Sequence, residues 1–235
     1  MSEIGRQHPL KDAIAGLDIG ESRVMLEKEL KLHRQHLQEL PEDCDPLDRA
    51  KLRLAIAQTL LGLAKSAEAW EMAREVFDVL VAGERWQEAI EACDIMYQSD
   101  QELSIVALGH GVWLAVTYPV SPQLTTSLLN YIVDETPDNS DGAAVAAAVA
   151  HYIADLRTEG EERKRLMFFT AQILAQVAKR HRGMEDEEGI NVWMEVLQLN
   201  DPEVFLPKLA KVIDVIVGDH WWIDRDALRA RLPVN

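Results

Sequence analysis

Residues Leu103–Val133, LSIVALGHGVWLAVTYPVSPQLTTSLLNYIV, contain no Asp, Glu, Lys or Arg, although charged residues make up 27% of the chain. Because apolar surface is driven out of water when a chain folds, this stretch predicts two helices buried at the centre of the protein. The first covers about residues 102–118. The second begins at Pro122, since proline is tolerated at the first helical position, where its missing N–H would be unpaired in any case.

Amphipathic helices are predicted on both sides of this central pair, because apolar residues recur there three and four positions apart. In the strongest, Leu26, Leu30 and Leu37 form one stripe. The predicted helices include residues 8–17, 21–40, 46–65, 68–82, 85–98, 187–199 and 202–217. No strand pattern is found, so the sequence predicts one all-α domain over residues 1–235, with helical hairpins in 1–100 and an alanine-rich core with C-terminal helices in 101–235.

One segment carries a resemblance to a known family. Residues 69–100 read AWEMAREVFDVLVAGERWQEAIEACDIMYQSD, in which WQEA begins a second helix after a reversal at Gly83. This segment resembles a tetratricopeptide repeat, although Phe77 stands where the family has a small residue and no second copy follows at its 34-residue period. The resemblance implies a right-handed superhelical array of about ten antiparallel helices, and a function in protein binding.

The charge distribution limits the partners. The net charge is −16, and no Lys or Arg occurs between Trp86 and Leu156, where ten acidic residues lie. Phosphate backbones and anionic lipids are bound by clustered Lys and Arg, so we expect neither nucleic acid nor a membrane surface as partner. A basic protein partner would be attracted, although acidity is also a common source of solubility alone. An extended peptide is the other kind of protein partner that we consider.

The cysteines and the N-terminal residues indicate the cellular compartment of the protein. Cys44 and Cys93 lie far apart and form no CxxC pair, which is typical of a reducing compartment. The first residues lack the apolar run of a signal peptide. The apolar run beginning at Leu103 is short for a membrane span and holds two glycines and His110, so a buried helix is favoured. The sequence therefore predicts a cytoplasmic protein.

The inventory of chemical motifs favours a protein without catalytic activity. No Gly-rich phosphate loop, GxSxG, HExxH or ExxH is present. His33 and His36 have the spacing to share a metal, but His33 belongs to an apolar stripe and a packed histidine is favoured. We therefore predict no cofactor, no metal and no catalytic residue.

Four residues are candidates for binding. His110 lies between Gly109 and Gly111, where either another helix or a ligand approaches closely. His151 has the helical spacing to pair with Asp155. Trp221 and Trp222 are adjacent, so they either anchor an extended segment to the core or leave one indole exposed to a partner.

Three functional hypotheses follow. The first is a non-enzymatic scaffold or adaptor that acts through protein–protein contacts, and a homodimer is compatible with it. The second is a dedicated assembly chaperone, by likeness of class and size to the acidic all-α maturation factors of bacterial redox enzymes. The third is an enzyme that uses His110 or His151 in a cavity between helices.

Overall fold

The structure is a computed structural model that describes residues 9–232, with side chains from residue 22 onward. This part of the chain folds into eleven α-helices and contains no strand. The all-α prediction is confirmed, and consecutive helices pack against each other. The helices are α1 Pro9–Glu39, α2 Pro46–Gly62, α3 Ser66–Ala82, α4 Trp86–Gln98, α5 Ser104–Thr117, α6 Pro122–Glu135, α7 Asp141–Arg157, α8 Gly160–Arg182, α9 Glu187–Val196, α10 Pro202–Val217 and α11 Arg225–Arg229.

Local capping signals fix most of the helix starts. The side chains of Asp45, Ser121 and Asp201 each accept a backbone N–H at the start of a helix, and each is followed by proline. These caps satisfy N–H groups that have no partner inside the helix. The predicted starts at Pro46, Pro122 and Pro202 are thereby confirmed.

One predicted division between helices is wrong. The segments predicted as separate helices over 8–17 and 21–40 form the single helix α1, which is continuous through Gly20; position 8 lies outside the described residues. A lone glycine in a helix costs about 1 kcal/mol and does not by itself end the helix. Further along the chain, α7 ends at Arg157 and Gly160 is the first residue of α8.

The even-numbered helices α2, α4, α6 and α8 follow one another on one side of the array. α2 packs on α4 and α6 on α8, and α4 meets α6 through Tyr97 and Tyr131, whose ring centroids are 4.6 Å apart. On the other side, α10 packs against both α5 and α7. The protein therefore departs from a simple chain of hairpins, because a late helix returns to cover the central ones.

Glycines allow this close packing at α5. A Cβ added at Gly109 would lie 2.4 Å from Val217 Cγ2 on α10, and one at Gly111 would lie 2.9 Å from Cys93 Cβ on α4. Of the two alternatives for the glycines beside His110, the structure therefore shows approaching helices, one on each side.

Candidate functional site

His110 is fully buried, with both ring nitrogens engaged. Its Nδ1 lies 2.9 Å from the Val106 carbonyl oxygen, one turn earlier in α5. The backbone N–H of Trp222 donates to Nε2 at 2.9 Å. Because an amide N–H can only donate, the proton of the neutral imidazole lies on Nδ1. Burial lowers the pKa of His110 to about 4, and the charges of Arg74 and Arg225 act in the same direction.

The two tryptophans close over this histidine. The Trp222 indole stacks on the His110 ring with centroids 4.3 Å apart, and the Trp221 centroid lies 4.9 Å from the same ring. Trp222 also meets Phe77 edge-on, at 5.7 Å. Both indoles are half-buried. Residues 219–224 form no helix. Trp221 and Trp222 therefore anchor a non-helical segment to α3 and α5, which is the first of the two alternatives given for them.

Arginines cover the outer faces of the indoles. The Arg225 guanidinium carbon lies 3.8 Å from the Trp221 ring centroid, and that of Arg74 lies 4.5 Å from Trp222. Arg225 also pairs with Asp214 at 2.6 Å. Such cation–π contacts are worth about 0.5–2 kcal/mol each. The cluster around His110 is therefore occupied by the protein's own side chains.

His151 lies apart from this cluster, on α7. Its Nδ1 is 2.9 Å from the Thr170 hydroxyl oxygen, and the Thr170 hydroxyl donates to the Leu166 carbonyl at 2.9 Å. The expected pair of His151 with Asp155 is not formed, because Asp155 is hydrogen-bonded to Arg163 of α8. Partial burial lowers the pKa of His151, and the charge of Asp155 opposes this shift. The structure thus does not bring His110, Trp221 and Trp222 together with His151.

A further group of side chains, which the sequence analysis did not single out, lies where α4 meets α6. We call it the acidic tyrosine face; its members are Asp94, Tyr97, Tyr131, Asp134 and Glu135. The Tyr97 hydroxyl donates to Glu135 Oε1 at 2.7 Å. Asp94 Oδ2 accepts from Gln98 at 2.8 Å, whereas Asp94 Oδ1 is buried without a hydrogen-bond partner among the described residues.

Burial and neighbouring carboxylates together shape the electrostatics of this face. Burial raises the pKa of Asp94, and the Gln98 hydrogen bond opposes the rise only in part. The pKa of Tyr131 is also raised, first by burial and then by the charges of Asp94 and Asp134. Neither α4 nor α6 contains a Lys or Arg. The sequence signal for this face was the long stretch without cations, but the pairing of Tyr97 with Tyr131 depends on the fold.

No group of three or more His, Cys, Asp or Glu side chains is placed to hold a metal ion among residues 22–232. His33 is half-buried on α1 and His36 is exposed. Over the described residues, no helix combines the length and the apolar character that crossing a bilayer requires.

Comparison with known proteins identifies no relative: no family model, no curated protein and no solved structure matches the chain. The tetratricopeptide resemblance of residues 69–100 therefore has no support from a family match, although α3 and α4 form the helical hairpin that it implies.

Proposed function

We propose that this protein is a non-enzymatic, cytoplasmic scaffold or adaptor, and that its acidic tyrosine face binds a basic segment of a partner protein. The observation that carries the proposal is this face: two packed tyrosine rings among three carboxylates, on helices that contain no Lys or Arg. The hairpin α3–α4, with its likeness to a tetratricopeptide repeat, supports a role in protein binding.

A Lys or Arg side chain has the chemistry that this face lacks. Its charge would offset the carboxylates of Asp94, Asp134 and Glu135, and its methylene groups would cover a tyrosine ring. Asp134 and Glu135 are exposed and Asp94 is half-buried. The carboxylates therefore attract a cationic side chain from the solvent toward the tyrosine rings. Because such pairs are screened by salt, binding should weaken as the ionic strength rises.

The contacts of His110 support the non-enzymatic part of the proposal. His110 has no free ring nitrogen to accept a proton from a substrate, since one nitrogen donates to Val106 and the other accepts from Trp222. A general base must reach the proton that it removes, directly or through one water molecule.

The test is affinity purification from the source cell at moderate salt, followed by mass spectrometry. The double variant Asp134→Lys and Glu135→Lys reverses two exposed charges of the face, and Glu71→Lys, on α3, is a control of the same kind. We expect the wild-type and control proteins to capture a stoichiometric partner that high salt elutes. The double variant should not capture this partner. Isolation of the wild-type chain alone would overturn the proposal, and a partner captured only before it folds would make the protein a chaperone.

A further inference from the structure

A cavity lies beside His151, and its lining brings several polar groups together. Its volume is about 280 Å³, and it is bounded by α7, α8, α9, the loop after α9 and the start of α10. Ligand pockets for drug-sized molecules begin at about 300 Å³. This cavity therefore has room for a molecule of one or two rings.

The hydrogen bonds around His151 assign its tautomer. The Thr170 hydroxyl donates its proton to the Leu166 carbonyl, so its oxygen is left to accept. His151 Nδ1 must then carry the proton that is shared with Thr170. In the neutral ring, Nε2 is consequently a hydrogen-bond acceptor, and the described residues give it no partner. A neutral ring is favoured at pH 7, because burial lowers the pKa of His151.

The walls of the cavity are suited to an apolar, aromatic molecule. Tyr152 and Phe205 meet edge-to-face with ring centroids 5.6 Å apart. Met167 and Met194 line the same space, and methionine side chains adapt to the shape of a ring and make favourable contacts with aromatic groups. Most of the lining is therefore hydrocarbon, sulfur or aromatic ring.

The charge at the rim excludes a strongly charged ligand. Asp155 also lines the cavity, but its carboxylate is hydrogen-bonded to Arg163 and so is already neutralised. The lining contributes no Lys or Arg, so an anion would find no counter-charge there. Burying an unpaired charge is costly, which leaves uncharged ligands.

From these four observations we infer that the cavity binds a small uncharged aromatic molecule whose single N–H or O–H group donates to His151 Nε2. Indole and phenol have this chemistry. The inference rests on α7–α10 and is independent of the acidic tyrosine face, so either can fail alone.

The experiment compares indole with benzofuran, which has the same shape but an oxygen in place of the N–H donor. Binding to the full chain is measured by titration calorimetry at pH 7.5. We expect a Kd for indole on the order of millimolar or lower, as befits a fragment, and binding of benzofuran about tenfold weaker, since one hydrogen bond is lost. Equal affinities, or no saturation by indole, would overturn the inference.

Variants then locate the site. His151→Phe should remove the preference for indole, whereas His36→Phe, an exposed histidine on α1, should keep it. Met194→Trp should fill the cavity and abolish binding of both probes. Unchanged indole binding in the Met194→Trp protein would place the site elsewhere and so overturn the assignment, and this outcome does not depend on whether the His151→Phe protein folds.

Discussion

At the scale of single residues, His110 links stability to pH. The unfolded state binds a proton near pH 6.5 and the folded state only near pH 4, so the unfolded state holds more protons between these values. Stability must therefore fall as pH is lowered through this window, by up to about 3 kcal/mol from this group. In His110→Phe this contribution is absent, but the Trp222 amide loses its acceptor, which costs about 1–3 kcal/mol.

We therefore expect His110→Phe to be less stable than wild type at pH 7, and the difference to vanish or reverse near pH 4.5. Urea unfolding at both pH values, followed by circular dichroism, measures this. The comparison of two proteins cancels the titration of the carboxylates that they share. A constant difference across the two pH values would show that His110 is not neutral and buried.

Gly109 offers a second test at residue scale, on steric grounds alone. In Gly109→Ala the new methyl group would meet Val217 Cγ2 at 2.4 Å, on a buried side chain, so α10 or α5 must move. Overpacking of this kind costs about 1–3 kcal/mol. The control is Gly20→Ala on α1, where nothing lies within 4 Å of the added Cβ, and alanine should stabilise that helix by about 0.5–1 kcal/mol. The midpoint of thermal unfolding should therefore be lower than wild type for Gly109→Ala and higher for Gly20→Ala.

At the scale of helices, the sequence predicts what depends on neighbours along the chain. Asp45-Pro46 and Asp201-Pro202 fix helix starts because an N-cap and a first-position proline act within a few residues. The spacing of His151 and Asp155 also allowed a local pair, but Thr170 and Arg163, both on α8, bind the two side chains instead. The glycines of α5 indicated a close approach, but only the fold shows that α10 supplies it on one side.

The alanine-rich helix α7 gives a test at this scale. Ala147 is fully buried, on a helix that packs against α6, α8 and α10. Ala147→Leu should therefore destabilise the protein by about 1–3 kcal/mol, because the surrounding helices cannot separate without losing contacts. Ala171→Leu, at an exposed position of α8, adds the same side chain and should change stability by less than about 0.5 kcal/mol. Equal effects in urea unfolding would mean that α7 is not tightly enclosed.

At the scale of the whole molecule, the segment after α10 joins parts of the chain that are distant in sequence. Trp222 packs on Phe77 and Trp70 of α3, and its amide binds His110 of α5. Arrays of helical hairpins tend to unfold piecewise, because each unit contacts only its neighbours. Here the return of the chain to α3 and α5 adds contacts between the hairpins before residue 100 and the helices after it, so we expect one cooperative unfolding transition.

Replacing both tryptophans tests this coupling. In Trp221→Ala with Trp222→Ala, the segment loses its contacts with α3 and α5, and His110 is opened to water. Fully buried tryptophans cost about 3–5 kcal/mol each when they are truncated, and these half-buried ones should cost less. The double variant should therefore unfold at a lower urea concentration than wild type. Its amide hydrogen exchange should speed up more in α3 and α5 than in α7. Val215→Ala, at an exposed position of α10, should leave exchange unchanged. Uniformly faster exchange along the whole double variant would mean that the protein still unfolds in one step without the tryptophans, and would contradict the idea that they couple its two parts.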